Sequence, residues 1–242
     1  MPAYNHTTWQ RLFGQPSDRV LLVPGTGPTF YIVSRPGAQV TLVEQQVFTA
    51  AMAQARTAIH RAYAITILRI AGTPAGVGAV PAHFDQLLDY CFRPGAAAGA
   101  TRLTVRDNLV RIRNGLWGHD VQIVDSNPNR GGIASGYVRC SYSEIFRTRD
   151  AAREQSFAGR IHIRFGAYNA ANTPVNQRNA ATTIVHEATH KFCGARDWIY
   201  NGGGFQGHAA FAAIGVVPPL PAMTNAEGLN NADSYAEFVM AL

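Results

Sequence analysis

The chain has 242 residues, with 21 Lys+Arg against 15 Asp+Glu and a formal net charge of +6. Hydrophobic residues make up 47% and charged ones only 15%, which excludes an intrinsically disordered chain and suits one domain with an extension. No run of 18 apolar residues occurs, so a membrane-spanning helix is excluded, and the opening Met-Pro-Ala-Tyr-Asn-His has neither the basic start nor the apolar stretch of a signal peptide.

Three apolar runs open the chain: Val20 to Val23, Phe30 to Val33 and Val40 to Val43. Gly-Thr-Gly-Pro (25–28) and Arg-Pro-Gly (35–37) separate them, which predicts a small meander of strands. Residues 1–43 are therefore read as a β-rich N-terminal extension and 44–242 as the main domain. From Glu44 the period changes. Phe48, Met52, Ala55, Ile59, Tyr63 and Ile67 recur at three- and four-residue spacing, so a long helix runs to about Ile70. Phe84, Leu87, Leu88, Cys91 and Phe92 mark a second helix, closed by Pro94-Gly95, and a third runs from about Leu103 to Leu116. Val121 to Val124 and Tyr137 to Cys140 read as strands. In Ile161 to Phe165 the apolar residues alternate with His162 and Arg164, the pattern of a half-buried strand. Thr173-Pro174 is an N-cap followed by a first-turn proline, and the helix it opens runs to Gly194. A last helix spans about Ala226 to Leu242.

The positive charge is carried almost wholly by arginine, since Lys191 is the only lysine. GC-rich coding is one cause, given the abundance of Ala, Gly and Pro. Arg102, Arg106, Arg111 and Arg113 form the densest basic stretch, but no aromatic-basic interleaving marks a nucleic-acid module, so nucleic acid is not expected as a partner. Cys91, Cys140 and Cys193 are too few and too scattered for a disulfide framework and point to synthesis in a reducing compartment.

The chemistry concentrates in His186-Glu187-Ala188-Thr189-His190. Histidines four apart on a helix share one face, so both imidazoles reach one metal ion, while Glu187 stands beside that ion as a base for water. One zinc ion suits this donor set, which leaves a third protein ligand to be found. Among acids beyond the helix Asp197 comes first, and a turn at Gly194 would bring it back toward the histidines. His208 is read as a solvated or packing residue and Cys193 as a small buried side chain.

His-Glu-x-x-His followed by Gly194-Ala195-Arg196-Asp197-Trp198-Ile199-Tyr200 resembles the aspzincins, the deuterolysin and peptidyl-Lys metalloendopeptidase family, and Asn231-Ala232-Asp233-Ser234-Tyr235 matches a stretch of its lysine-specific branch. The resemblance covers 173–242, extends toward Glu44 and leaves out 1–43. It implies His186, His190 and Asp197 as zinc ligands, Glu187 as general base and Tyr200 as an oxyanion-stabilising hydroxyl. Asp233 falls where that branch has an acid facing the residue after the scissile bond. Ala195, Asn201 and Ala236 depart from the family pattern, in which a Thr, a Gly and a second acid stand.

These readings predict an α/β (α+β) fold of the zincin type, a mixed sheet with long helices around the zinc helix. The expected activity is zinc-dependent hydrolysis of polypeptides, on the amino side of lysine if Asp233 lines the pocket. The scarcity of lysine then has a second cause, resistance to self-cleavage. Ile161 to Phe165 is the strand expected to pair with an extended substrate. A protease made without a signal peptide among reduced thiols is further expected to be a secreted, effector- or toxin-like enzyme, exported by a specialised machine through residues 1–43 and matched by an immunity or secretion-system partner, or otherwise a cytoplasmic one. The alternative is a non-catalytic zinc-binding domain of a larger assembly.

Overall fold

The computed structural model describes residues 20–23, 28–35, 37–118, 121–125, 136–138, 160–195 and 224–242. Five strands form one mixed sheet: β1 (Val20–Val23), β2 (Phe30–Val33), β3 (Gln122–Asp125), β4 (Gly136–Val138) and β5 (Ile161–Ile163). Their order is β1-β2-β3-β5-β4. β2, β3 and β5 run parallel, and the outer strands β1 and β4 pair antiparallel with β2 and β5. Six α-helices are described: α1 (Leu42–Ile70), α2 (Phe84–Phe92), α3 (Ala98–Leu116), α4 (Pro174–Cys193), α5 (Asn225–Leu229) and α6 (Ala232–Ala241). The architecture is mixed α/β and mostly helical, as expected in outline. No described helix is long and apolar enough to cross a membrane.

The described part of 1–43 is built into the same body as the rest. Tyr31, Ile32 and Val33 pair in parallel with Gln122, Ile123 and Val124, and Val23, Phe30 and Ile32 join the one large core that also takes in α1, α3 and α4. Val40 to Val43 is not a strand. Thr41 caps α1, its hydroxyl accepting from the Glu44 amide at 3.2 Å while the Glu44 carboxylate accepts from the Thr41 amide at 2.8 Å. This reciprocal box satisfies two amides that the first turn of a helix leaves without intrahelical partners, and it outweighs the local β-preference of three apolar residues.

α1 buries Phe48, Met52, Ala55 and Ile59 completely, whereas Ile67, on the predicted stripe, is 37% exposed. Between them Arg56 is also buried. Its Nε donates to the Leu116 carbonyl and its Nη1 to that of Pro28, both at 2.8 Å, and the guanidinium lies 5.7 Å from the Phe30 and Trp117 rings. One side chain thus ties α1 to the start of β2 and the end of α3, and its burial pulls the guanidinium pKa down.

Two further expectations are corrected. β5 has β3 on one side and β4 on the other, so its backbone is already paired and cannot take up a substrate strand; all three of its residues, His162 included, are buried. Among the described residues the outer strand on that side is β4. The C-terminal helix is two helices. Thr224 and Glu227 form a second capping box for α5, and the chain breaks at Asn230–Asn231 before α6. Gly228 is required there, because a Cβ would stand 3.0 Å from the Cys91 carbonyl oxygen and from the Phe92 Cα.

Candidate metal centre

α4 carries the centre, and local chemistry sets its ends. The Thr173 hydroxyl accepts from the Asn176 amide, Pro174 occupies the first turn where no amide is needed, and Gly194 closes the helix in the left-handed conformation at φ 65°. Ala180, Ala181, Ile184, Val185 and Ala188 are fully buried, which fixes the rotation of the helix about its axis. α4 packs on α1, α3 and α6 and also touches β4 and β5.

His186, Glu187 and His190 come together with one potential ligand atom each, all within 4.8 Å of one another. His186 and Glu187 are buried. The two imidazoles stand edge to face with their Nε2 atoms 2.9 Å apart, and a Glu187 oxygen lies 4.0 Å from the His186 Nε2.

The outer nitrogens decide what the inner ones can do. His186 Nδ1 lies 2.6 Å from Asp233 Oδ1, and His190 Nδ1 lies 2.7 Å from the Ala195 carbonyl oxygen. A carboxylate and a carbonyl only accept, so each Nδ1 carries a proton, and a ring that is neutral then turns its Nε2 lone pair inward. Two lone pairs at 2.9 Å repel unless a cation lies between them. Zinc fits this donor set: neutral imidazoles with outer N–H groups held by a carboxylate or a carbonyl are its common ligands. Tetrahedral bonds of about 2.0–2.1 Å would require the two nitrogens to stand roughly 3.3 Å apart, a few tenths more than the structure has.

The other expected site residues divide. Asp233 is brought to the centre, but against the outer side of His186. Asp197 and Tyr200 lie outside the described residues, as does His208. Cys193 is buried as expected, its thiol directed at the Asn108 carbonyl oxygen at 3.5 Å. Lys191, next to His190, is half-buried, and desolvation pushes its pKa down to about 8.

Sequence reasoning missed two participants. One is the Ala195 carbonyl, whose signal was the glycine before it: a left-handed residue at the helix end turns the next carbonyl back toward the last turn. The other is Asn108 on α3, whose amide donates to the Tyr235 hydroxyl; that hydroxyl donates in turn to the Leu229 carbonyl at 3.2 Å. Asn231 donates to the Ser234 hydroxyl at 3.1 Å. The Asn-Ala-Asp-Ser-Tyr stretch therefore anchors α6 beside α4, each of its polar residues engaged in the fold. No protein-family model matches the chain, and no curated protein does either.

Proposed function

We propose that the chain is a zinc-dependent endopeptidase of zincin type. The observation that carries the reading is the convergence of two histidine Nε2 atoms 2.9 Å apart with the Glu187 carboxylate beside them. His186 and His190 would hold the ion, and Asp197 and Tyr200 keep the roles the resemblance implies for them, third ligand and oxyanion donor. Bound zinc supplies Lewis acidity toward a peptide carbonyl and lowers the pKa of water toward neutrality. Glu187 is the proton carrier. A buried carboxylate within 4.0 Å of a ligand nitrogen can take a proton from the attacking water and pass it to the leaving amine.

The substrate class is an extended polypeptide. Among the described residues β4 is an outer strand and α4 touches it, so strand addition there is the mode of peptide binding we propose. Cleavage before lysine is not part of what we propose here; Asp233, the carboxylate it relied on, lies with Oδ1 2.6 Å from His186 Nδ1. An unrestrained endopeptidase degrades the proteins of the cell that makes it, so we keep an exported, effector-like role, with an immunity or secretion partner, as its setting.

The test measures zinc content by mass spectrometry and digests a mixed proteome with the protein, the chelated protein and the zinc-restored protein. The reading expects one zinc per chain and cleavage that chelation abolishes and zinc restores. Bound zinc without cleavage would overturn it in favour of a non-catalytic zinc domain.

A further inference from the structure

We infer that Asp233 is a positioning residue of the metal centre, acting through His186, and not a carboxylate that selects the basic side chain of a substrate. The inference rests on the metal-centre reading above and concerns what holds that centre in shape. The bond from His186 Nδ1–H to Asp233 Oδ1, at 2.6 Å, is at the short end for a charge-assisted N–H···O contact, and the carboxylate is 21% exposed. A carboxylate there has two effects on the ring. It holds the proton on Nδ1, so that Nε2 keeps the lone pair a metal needs, and it makes that lone pair more basic.

The surroundings of Asp233 are those of a support. It stands in the first turn of α6, and its neighbours Ala232, Ser234, Tyr235 and Phe238 are buried. Asn231 and Ser234 bond to each other, and Tyr235 reaches across to Asn108 on α3. The turn that presents Asp233 is thus fastened on both sides of it, which suits a group that must hold an imidazole to within a few tenths of an ångström. A specificity carboxylate needs its charge for the substrate. An ammonium bound to the same carboxylate would draw on the charge that the Nδ1–H bond uses, and binding substrate would weaken the support of the ligand.

The experiment compares the full chain with Asp233→Asn and Asp233→Ala. Three quantities are measured: zinc affinity by competition with a chromogenic chelator, the His186 tautomer in the metal-free protein by nitrogen-15 NMR, and the cleavage sites on a mixed proteome. Asp233→Ala should weaken zinc 10- to 100-fold and move His186 toward the Nε2–H tautomer. Asp233→Asn keeps an oxygen that accepts from Nδ1–H, so it should fall between the two and still fold if the alanine variant does not. The residue preference around the cleaved bond should be the same in every active variant. If the parent binds zinc and both variants bind it as tightly with the tautomer unchanged, this inference alone fails. A changed residue preference at unchanged zinc affinity would also overturn it and restore the pocket role. If the parent takes up no zinc, the metal-centre reading fails and takes this inference with it.

Discussion

Tyr235 and Asn108 stand 127 positions apart in the chain and share a buried hydrogen bond, the Asn108 side-chain amide donating to the phenol oxygen. The contact joins α6 to α3 across the end of α4. Asn108 is engaged twice, since its carbonyl oxygen also faces the Cys193 thiol. Three helices therefore meet at one buried polar point. Tyr235→Phe removes the hydroxyl and leaves the Asn108 amide and the Leu229 carbonyl short of a partner, at a cost of about 1–3 kcal/mol. Urea unfolding of the two proteins measures it. The midpoint should fall with no change in slope, since the surface exposed on unfolding is the same.

Glu187→Gln should separate binding from chemistry. The amide keeps the shape of the side chain but cannot take up a proton, so peptide cleavage should fall by about 10²–10⁴-fold while zinc content and affinity stay near the parental values. A variant that binds zinc and cleaves at the parental rate would remove Glu187 from the mechanism.

Zinc should stabilise the folded chain. At a free concentration 100 times its Kd, a ligand bound only by the folded state adds about 2.7 kcal/mol. The Tm of chelated protein should therefore rise on adding zinc, whereas His186→Ala and His190→Ala should show little or no rise. Differential scanning fluorimetry reads both.

Gly115, near the end of α3, has no room for a side chain. A Cβ there would stand 2.5 Å from the Phe192 ring on α4. Gly115→Ala must displace that ring, which overpacks the crossing by about 1–3 kcal/mol. Phe192→Leu should recover part of the loss in the double variant, because the two side chains compete for one space. A double-mutant cycle of unfolding free energies gives the coupling.

Asp85 bonds to Arg69 through Oδ2 at 2.6 Å and to Arg102 through Oδ1 at 3.0 Å. Hydrogen bonding to Arg69, followed by the charges of both guanidinium groups, holds its carboxyl below the ordinary value of 3.8. A carboxyl whose pKa is lower in the folded state stabilises above its unfolded pKa and loses that contribution as pH falls through the folded one. The side chain is 42% exposed, so solvent screens the pair and Asp85→Asn should cost no more than about 1 kcal/mol at pH 7. The difference between the two proteins should shrink below about pH 4, and it should narrow in high salt. Chemical denaturation across pH measures both.

The helix that carries His186 and His190 was legible because everything that delimits it is local. Thr173, Pro174 and Gly194 act within a turn of where they stand, and the four-residue spacing of His186 and His190 fixes their shared face. Where the reading failed, the deciding residues were distant or a local cap was passed over. The alternation of Ile161, His162 and Ile163 promised an exposed face, but β4 and β3 flank this strand and His162 is buried. Nothing within three residues of β5 announces those neighbours. Thr41-x-x-Glu44 and Thr224-x-x-Glu227 were readable capping boxes, hidden by the apolar run before the first and by the uninterrupted look of the second. The place of Asp233 against His186 depends on α6 docking beside α4, a relationship across 47 positions that no local pattern encodes.

The two histidines are held by unlike means, His186 by the side chain of Asp233 and His190 by the main chain of Ala195. One nucleotide change abolishes the first anchor, and a conservative one adjusts its charge or reach. No replacement of the residue at 195 abolishes the second, because every amino acid brings the same carbonyl. Heritable variation therefore acts on the two halves of the centre unequally. The affinity of this site can drift or be tuned through His186, while His190 keeps its orientation for as long as the chain makes its turn at Gly194.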